Sequence, residues 1–133
     1  MLSWEFFVEI RVCEKYHLIH VRPLSAYSMA YDLLIGKSPK VKDSPAMVGL
    51  IEFEELTPLN RISQRHRCWL FDRLLNFFEN QSFTVAEIRE AVDILDSTIL
   101  AEQGIEERRI LYKVSAIFSM ALRKNLPVHG IAD

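Results

Sequence analysis

The sequence is poor in the residues that mark special folds or special chemistry. It has 4 glycines, 5 prolines and 2 cysteines in 133 residues, and half of its residues are hydrophobic. So few glycines and prolines exclude collagen-like and low-complexity chains and are typical of ordinary globular proteins. The glycines are scattered and form no GxGxxG or GxxxxGK[ST] loop, so the sequence gives no support for nucleotide binding.

The two cysteines and the histidines predict neither a disulfide framework nor a metal site. Cys13 and Cys68 lie in different predicted elements, without a CxxC pair or the Cys/His spacing of a zinc site. His17 and His20 lie in a predicted strand, where their spacing places them on opposite faces. We therefore expect free thiols in a reducing compartment, a cytoplasmic location, and no metal or other cofactor.

An excess of charge of one sign and long apolar runs are also missing. There are 16 Lys and Arg against 18 Asp and Glu, a net charge of -2, so no overall positive field draws the chain to nucleic acid. No uncharged run approaches the roughly 18 residues of a membrane-spanning helix. The N-terminal stretch carries Glu5 and Glu9 in place of the basic region of a secretory signal. We expect no association with membranes.

The first half of the chain shows the period of β-strands. Apolar residues alternate from Trp4 to Val12, and the short β-branched run at 17–22 predicts a return strand, which together indicate an antiparallel hairpin. Residues 46–56 alternate in the same way and predict a third strand.

Between these strands the pattern favours a short helix and a loop. Ser25 is a candidate N-cap, apolar residues follow at helical spacing, and Gly36 stands where a C-cap glycine belongs. Residues 37–45 hold three lysines and two prolines and predict an exposed loop. The predicted order of the first half is therefore ββαβ.

From residue 57 the period changes to that of helices. Thr57 as a cap and Pro58 at the first helical position predict a helix that runs to about Asn80. Thr84 and Glu87 form a capping box, and the hydrophobic residues on either side of the cap, Phe83 and Ile88, form a staple at the start of a second helix.

A third helix follows Gly104, carries Arg123 and Lys124 at its negative C-terminal end, and stops before Pro127. The sequence thus predicts an α+β fold in which a three-stranded sheet in residues 1–56 is covered by three helices in residues 57–133. Each half is marginal in size by itself, so we expect a single domain over residues 1–133.

No catalytic arrangement can be assembled from local motifs, so the sequence predicts a protein that is not an enzyme. His66 and Cys68 are two residues apart on a predicted helix and face nearly opposite directions, which excludes a local Cys-His dyad. Local motifs do not reveal sites that are built from residues distant in the sequence. A deep pocket around strongly shifted acids, or His66 against a carboxylate, would reopen the possibility of catalysis.

Charged helical residues are the candidate contact sites. An acidic stretch is a candidate surface for a basic partner, although such residues usually form a solvated helix face; it comprises Glu87, Glu90, Asp93 and Asp96. Two basic clusters are candidate DNA contacts, with solvated surface again the plain alternative; they comprise Arg61, Arg65 and Arg67, and Arg108, Arg109, Tyr112 and Lys113.

The stretch 82–92 resembles a helix of a helix-turn-helix motif, but the resemblance is generic. If the turn comes near Asp96, the next residues offer one acid and no base to the major groove. If the helix after Gly104 is the recognition helix, the connection is about nine residues, longer than the motif usually has. A winged-helix domain accommodates such an insertion, with the segment 122–131 as the start of a wing.

Two functions remain as hypotheses. The first is a small cytoplasmic regulatory or adaptor protein that acts by binding another protein, or a second copy of itself as a homodimer. It rests on the apolar and aromatic content, the acidic stretch and the near-neutral charge. The alternative is a helix-turn-helix or winged-helix transcriptional regulator that binds DNA through the two basic clusters.

Overall fold

The computed structural model describes residues 8–13, 18–23, 30–76 and 78–132. The strands in this part of the chain are β1 Val8–Cys13, β2 Leu18–Pro23, β3 Ala30–Ile35, β4 Ala46–Glu52, β5 Gln81–Phe83 and β6 Val128–Ala132. The α-helices are α1 Leu56–Arg65, α2 Trp69–Leu75, α3 Val85–Ala101 and α4 Ile105–Lys124. Short 3₁₀ turns cover Val41–Asp43 and Phe53–Glu55. The predicted α+β class is confirmed.

The strands form two antiparallel sheets. β1 pairs with β2, which confirms the predicted hairpin, whereas Trp4, where the first strand was predicted to begin, lies outside the described residues. The other four strands form one sheet in the order β4-β3-β6-β5. The prediction of a single three-stranded sheet was therefore wrong. The sequence did not indicate β5 and β6, because both are too short to show a strand period. β6 nevertheless lies inside the sheet, between β3 and β5.

The helix predicted between Ser25 and Gly36 is wrong over its second half, which is strand β3. Ser25 itself lies outside the described residues. All six residues of β3 are buried, Asp32 among them, so the strand is covered on both faces and its burial does not alternate. Its neighbours are β4, close in sequence, and β6, nearly one hundred residues away, and this long-range pairing decides between helix and strand.

The helix predicted over residues 57–80 is divided into α1 and α2, so the described part of the second half has four helices where three were predicted. The chain leaves the helical conformation at His66 and is extended at Cys68, where φ is -157° and ψ is 165°. Thr57 is not a cap, because α1 begins one residue earlier and follows directly from the 3₁₀ turn. Neither glycine nor proline marks the break, so the sequence pattern gives no sign of it.

The starts of the last two helices agree with the prediction. Thr84 and Glu87 form both hydrogen bonds of the capping box of α3, and the staple residues Phe83 and Ile88 are both fully buried. α4 begins after Gly104 and ends at Asn125, which adopts the left-handed conformation with φ 55°. One apolar core joins β3, β4, β5 and β6 to α1–α4.

Candidate functional site

The basic residues of α1 lie against acids at the turn between α3 and α4. Arg65 donates two hydrogen bonds to the Glu102 carboxylate, from Nε over 3.0 Å and from Nη2 over 2.8 Å. Arg61 pairs with Glu106 at 3.2 Å and with Glu107. We call these five residues and His66 the ion-pair cluster.

The cluster buries its two central acids and leaves its arginines partly exposed. The side chains of Glu102 and Glu107 are 3% and 8% exposed, against 51% for Arg65 and 39% for Arg61. The hydrogen bond from Arg65 lowers the pKa of Glu102, and that from Arg61 lowers the pKa of Glu107. Both acids are therefore ionised at neutral pH and neutralise the arginine charges that were the candidate phosphate contacts.

Gly104, at the N-cap of α4, gives the Glu107 side chain room to fold back over the start of the helix. A Cβ atom at position 104 would lie 1.9 Å from Glu107 Oε1. Because Gly104 has no side chain, Glu107 can take its place in the ion-pair cluster at the start of α4. A carboxylate at this position also stabilises the positive end of the helix.

Two histidines contact groups that have catalytic roles in other proteins. His66 Nε2 lies 2.8 Å from Glu102 Oε2, the arrangement that reopens the possibility of catalysis. His129 Nδ1 lies 2.7 Å from Ser82 Oγ, and its Nε2 donates to the Gly36 carbonyl over 2.8 Å. The sequence missed both pairs, because their members are 36 and 47 residues apart.

Neither pair is supported as a catalytic centre by its surroundings. Among the described residues, no hydroxyl or thiol hydrogen-bonds to His66, whose partner Glu102 is already held by Arg65. His129 is 3% exposed. It lies on β6 and connects this strand to Ser82 on β5 and to the Gly36 carbonyl, which is a structural role. The half-buried Cys68 has a free thiol and lies at the N-cap position of α2, where its side chain makes no capping hydrogen bond.

The predicted basic residues of α4 divide between internal contacts and open surface. Arg108 lies over the ring of Tyr112 at 5.8 Å and donates to its hydroxyl, and Lys113 donates to Glu55 and to the Leu50 carbonyl. Arg109 is exposed, as is Arg67 in the break between α1 and α2. The structure does not bring the two predicted clusters together as one free basic surface.

The predicted acidic surface on α3 is also partly engaged inside the molecule. Glu87 completes the capping box and pairs with Arg73 at 2.8 Å, while Glu90 accepts a hydrogen bond from Trp69 Nε1 at 3.2 Å. Asp93 and Asp96 are exposed. Two of the four candidate acids therefore remain as open helix surface.

The sequence patterns did not indicate the groove between β4 and α4. β4 is an end strand of the four-stranded sheet, and its outer edge pairs with no strand in the described part of the chain. The groove has a volume of about 510 Å³, and mainly apolar residues line it, among them Val48, Gly49, Leu50, Ala116, Ile117 and Met120. A Cβ atom on Gly49 would lie 2.9 Å from Ile117 Cδ1, so the glycine allows strand and helix to approach closely.

Charged residues bound one end of this β4–α4 groove. Lys113 reaches from α4 to the Leu50 carbonyl and is neutralised by Glu55, over 2.7 Å. Glu52 lines this end of the groove and Glu54 follows it in the 3₁₀ turn Phe53–Glu55; both are exposed and form no ion pair with another described residue. An apolar channel therefore runs towards a negative end along a strand edge that no described strand covers.

Compared with protein-family models, curated proteins and solved structures, the chain matches none of them. Within the described ranges, no three His, Cys, Asp or Glu residues lie where they could hold a metal ion together. None of the described helices combines the length and the apolar character needed to cross a membrane.

Proposed function

We propose that the protein is a non-enzymatic adaptor or regulatory module that binds an extended segment of a partner protein in the β4–α4 groove. The observation that carries the proposal is the outer edge of β4, which pairs with no strand of the described residues and lies beside an apolar channel. An exposed strand edge offers unpaired backbone N–H and C=O groups, and added strands are a recurring mode of peptide recognition.

The edge has few of the features that protect strands against pairing. Ala46–Glu52 contains neither proline nor lysine, and its single charged residue is Glu52 at the end. One bulge interrupts its pairing with β3, opposite Leu33 and Leu34. Beside the strand, Ala116 is exposed and Met120 is half-buried, so apolar area on α4 is available to a ligand.

The groove also indicates the chemistry of the segment. Every second side chain of an added strand points to the same face, so alternate apolar residues would enter the channel. The exposed Glu52 and Glu54 favour Lys or Arg at one end of the segment. We expect the partner to be cytoplasmic, because the sequence predicts free thiols in a reducing compartment. The alternative partner is a second copy of the chain, paired edge to edge as a homodimer.

Peptide display tests this proposal without knowledge of the partner. Random peptides selected on the full chain are expected to show alternating apolar residues with a basic residue at one end. Ala116→Glu places a carboxylate in the groove and should weaken their binding about tenfold, the effect of about 1.4 kcal/mol. Fluorescence polarisation with the selected peptides measures this change.

Ala86→Glu is the matched control, because Ala86 is an exposed helical alanine on α3 away from the groove. Equal weakening by both variants, or peptides without a strand-like alternation, would contradict the proposal. Sedimentation of the free chain distinguishes the homodimer from binding to another protein. A homodimer would show an average molecular mass that rises with protein concentration and is lower in Ala116→Glu.

DNA binding through α4 is the second candidate, favoured by the length of the connection before that helix. The turn between α3 and α4 has three residues, 102–104, rather than the nine that the sequence suggested, and this length supports the proposal because the motif needs a short turn. Arg108 and Arg109 are exposed in the first turns of α4. The ion-pair cluster engages Arg61 and Arg65, which leaves the exposed Arg67 and Arg109, and Arg108 beside Tyr112, as the candidate phosphate contacts.

A mobility shift with fragmented genomic DNA distinguishes this candidate. Phosphate contacts predict retarded bands at about 50 mM salt that weaken steeply by about 200 mM, and that are lost in Arg108→Ala/Arg109→Ala. Arg89→Ala/Arg123→Ala removes the same charge from exposed positions elsewhere and should retain binding. Absence of any shift at low salt, or equal loss in both double variants, would rule out recognition by α4.

A further inference from the structure

A second hollow lies at the other end of α4, and three lysines line it. It has a volume of about 470 Å³, with Ile35 and Leu126 as apolar lining. Lys37 follows β3, Lys42 lies in the 3₁₀ turn Val41–Asp43, and Lys124 lies in the last turn of α4. We call this hollow the lysine pocket.

The lysine pocket carries an excess of positive charge in a chain with a net charge of -2. Among the described residues, the one acid that lines it is Asp43, whose Oδ2 accepts a hydrogen bond from Ser38 Oγ at 2.5 Å. Within the described residues, the three lysines take part in no ion pair. Lys124 also suits the negative end of α4, but this does not account for Lys37 and Lys42.

The backbone around the lysine pocket is held in place by internal contacts. The Gly36 N–H donates to the Pro127 carbonyl at 3.3 Å, and its carbonyl accepts from His129. A Cβ atom at Gly36 would lie 2.9 Å from Pro45, so the loop packs directly on the end of β3. Ser44 closes the 3₁₀ turn in the left-handed conformation, with φ 44°. A ligand would therefore find the walls already ordered, which lowers the cost of binding.

We propose that the lysine pocket binds a small molecule that carries a phosphate group. An ammonium group is a compact point charge with three donors and is a common partner of phosphate. Three such groups and one carboxylate match a ligand with about two negative charges. The apolar lining can receive an organic part, and the volume lies within the range of about 300–1,000 Å³ found for ligand sites.

Calorimetric titration of the full chain with inorganic pyrophosphate at low ionic strength tests the site. We expect saturable binding of one equivalent, weakened about tenfold or more in Lys42→Ala/Lys124→Ala, because this variant removes two of the three ammonium groups that line the pocket. Both lysines are exposed, so their removal leaves the fold intact, which thermal unfolding of the variant confirms.

The matched control is Lys40→Ala/Arg123→Ala. Lys40 lies in the same loop and Arg123 in the same turn of α4, both are exposed, and neither lines the lysine pocket. Binding should be kept in this variant if the pocket is specific. No saturable heat up to millimolar pyrophosphate, or the same weakening in both double variants, would overturn the proposal.

Discussion

Replacement of Phe118 by alanine is expected to lower the free energy of unfolding by about 3–5 kcal/mol. Phe118 is fully buried on α4, and its ring lies 5.2 Å from that of Phe83 on β5, tilted by 57°. The truncation removes the contact between α4 and β5 and leaves a cavity beneath a strand of three residues. Urea unfolding, followed by far-ultraviolet circular dichroism, measures the loss.

Phe78→Ala is the control for this experiment, because its ring is 69% exposed and the same atoms are removed. Its effect should stay within about 0.5 kcal/mol. A loss below about 1 kcal/mol for Phe118→Ala would mean that the core closes over the missing ring, against the close packing that the structure describes.

The parts of the fold that the sequence predicted are those decided by local chemistry. The capping box at Thr84 and Glu87 depends on residues three positions apart, and α4 is bounded by Gly104 and by the residues before Pro127. β4 was predicted from its alternation, although residues 47–50 are all half-buried in the structure and only Ile51 is buried. In each case the signal lies within a few residues of the element that it specifies.

The parts that the sequence missed depend on partners far along the chain. β3 has buried side chains on both faces, so its apolar run fits a helix as well as a strand until β6 pairs with it. β6 contains a glycine, Gly130, because the Tyr31 ring lies where its Cβ would be, 2.3 Å from the ring carbons. A glycine within five residues hides the strand from pattern analysis.

The candidate sites were less predictable than the fold. The sequence indicated basic clusters, but the acids that neutralise Arg61 and Arg65 lie 37 to 46 residues away. The β4–α4 groove joins residues about 65 positions apart, and no local motif marks it. The sequence placed the lysines of residues 37–45 in an exposed loop. Only the folded structure shows that Lys124 lines the same pocket as Lys37 and Lys42.

Replacement of Glu102 by glutamine is expected to lower the free energy of unfolding at pH 7 by about 1–2 kcal/mol. Glu102 is buried and accepts hydrogen bonds from Arg65 and His66. The amide keeps the shape of the side chain but cannot accept both arginine hydrogen bonds. The exposed half of Arg65 stays solvated, which keeps the loss below that of a fully buried pair.

The effect of Glu102→Gln should disappear in acid. The hydrogen bond from Arg65 lowers the folded-state pKa of Glu102 below that of the unfolded chain, about 4.3. The carboxylate therefore contributes its full stability above that value, and the contribution is lost as the pH falls through the lower folded-state pKa. Wild type and variant should differ most above pH 5 and converge towards pH 3, as measured by urea unfolding at each pH.

Glu54→Gln is the control, because Glu54 is exposed and forms no ion pair with another described residue. It should follow the wild type at every pH. A Glu102→Gln deficit that stays constant or grows towards acid would contradict the argument, because protonation of the wild-type carboxyl must remove the charge that the variant lacks. The same deficit in Arg65→Gln would assign the stabilisation to the pair and would identify the ion-pair cluster as a structural clamp between α1 and the α3–α4 turn.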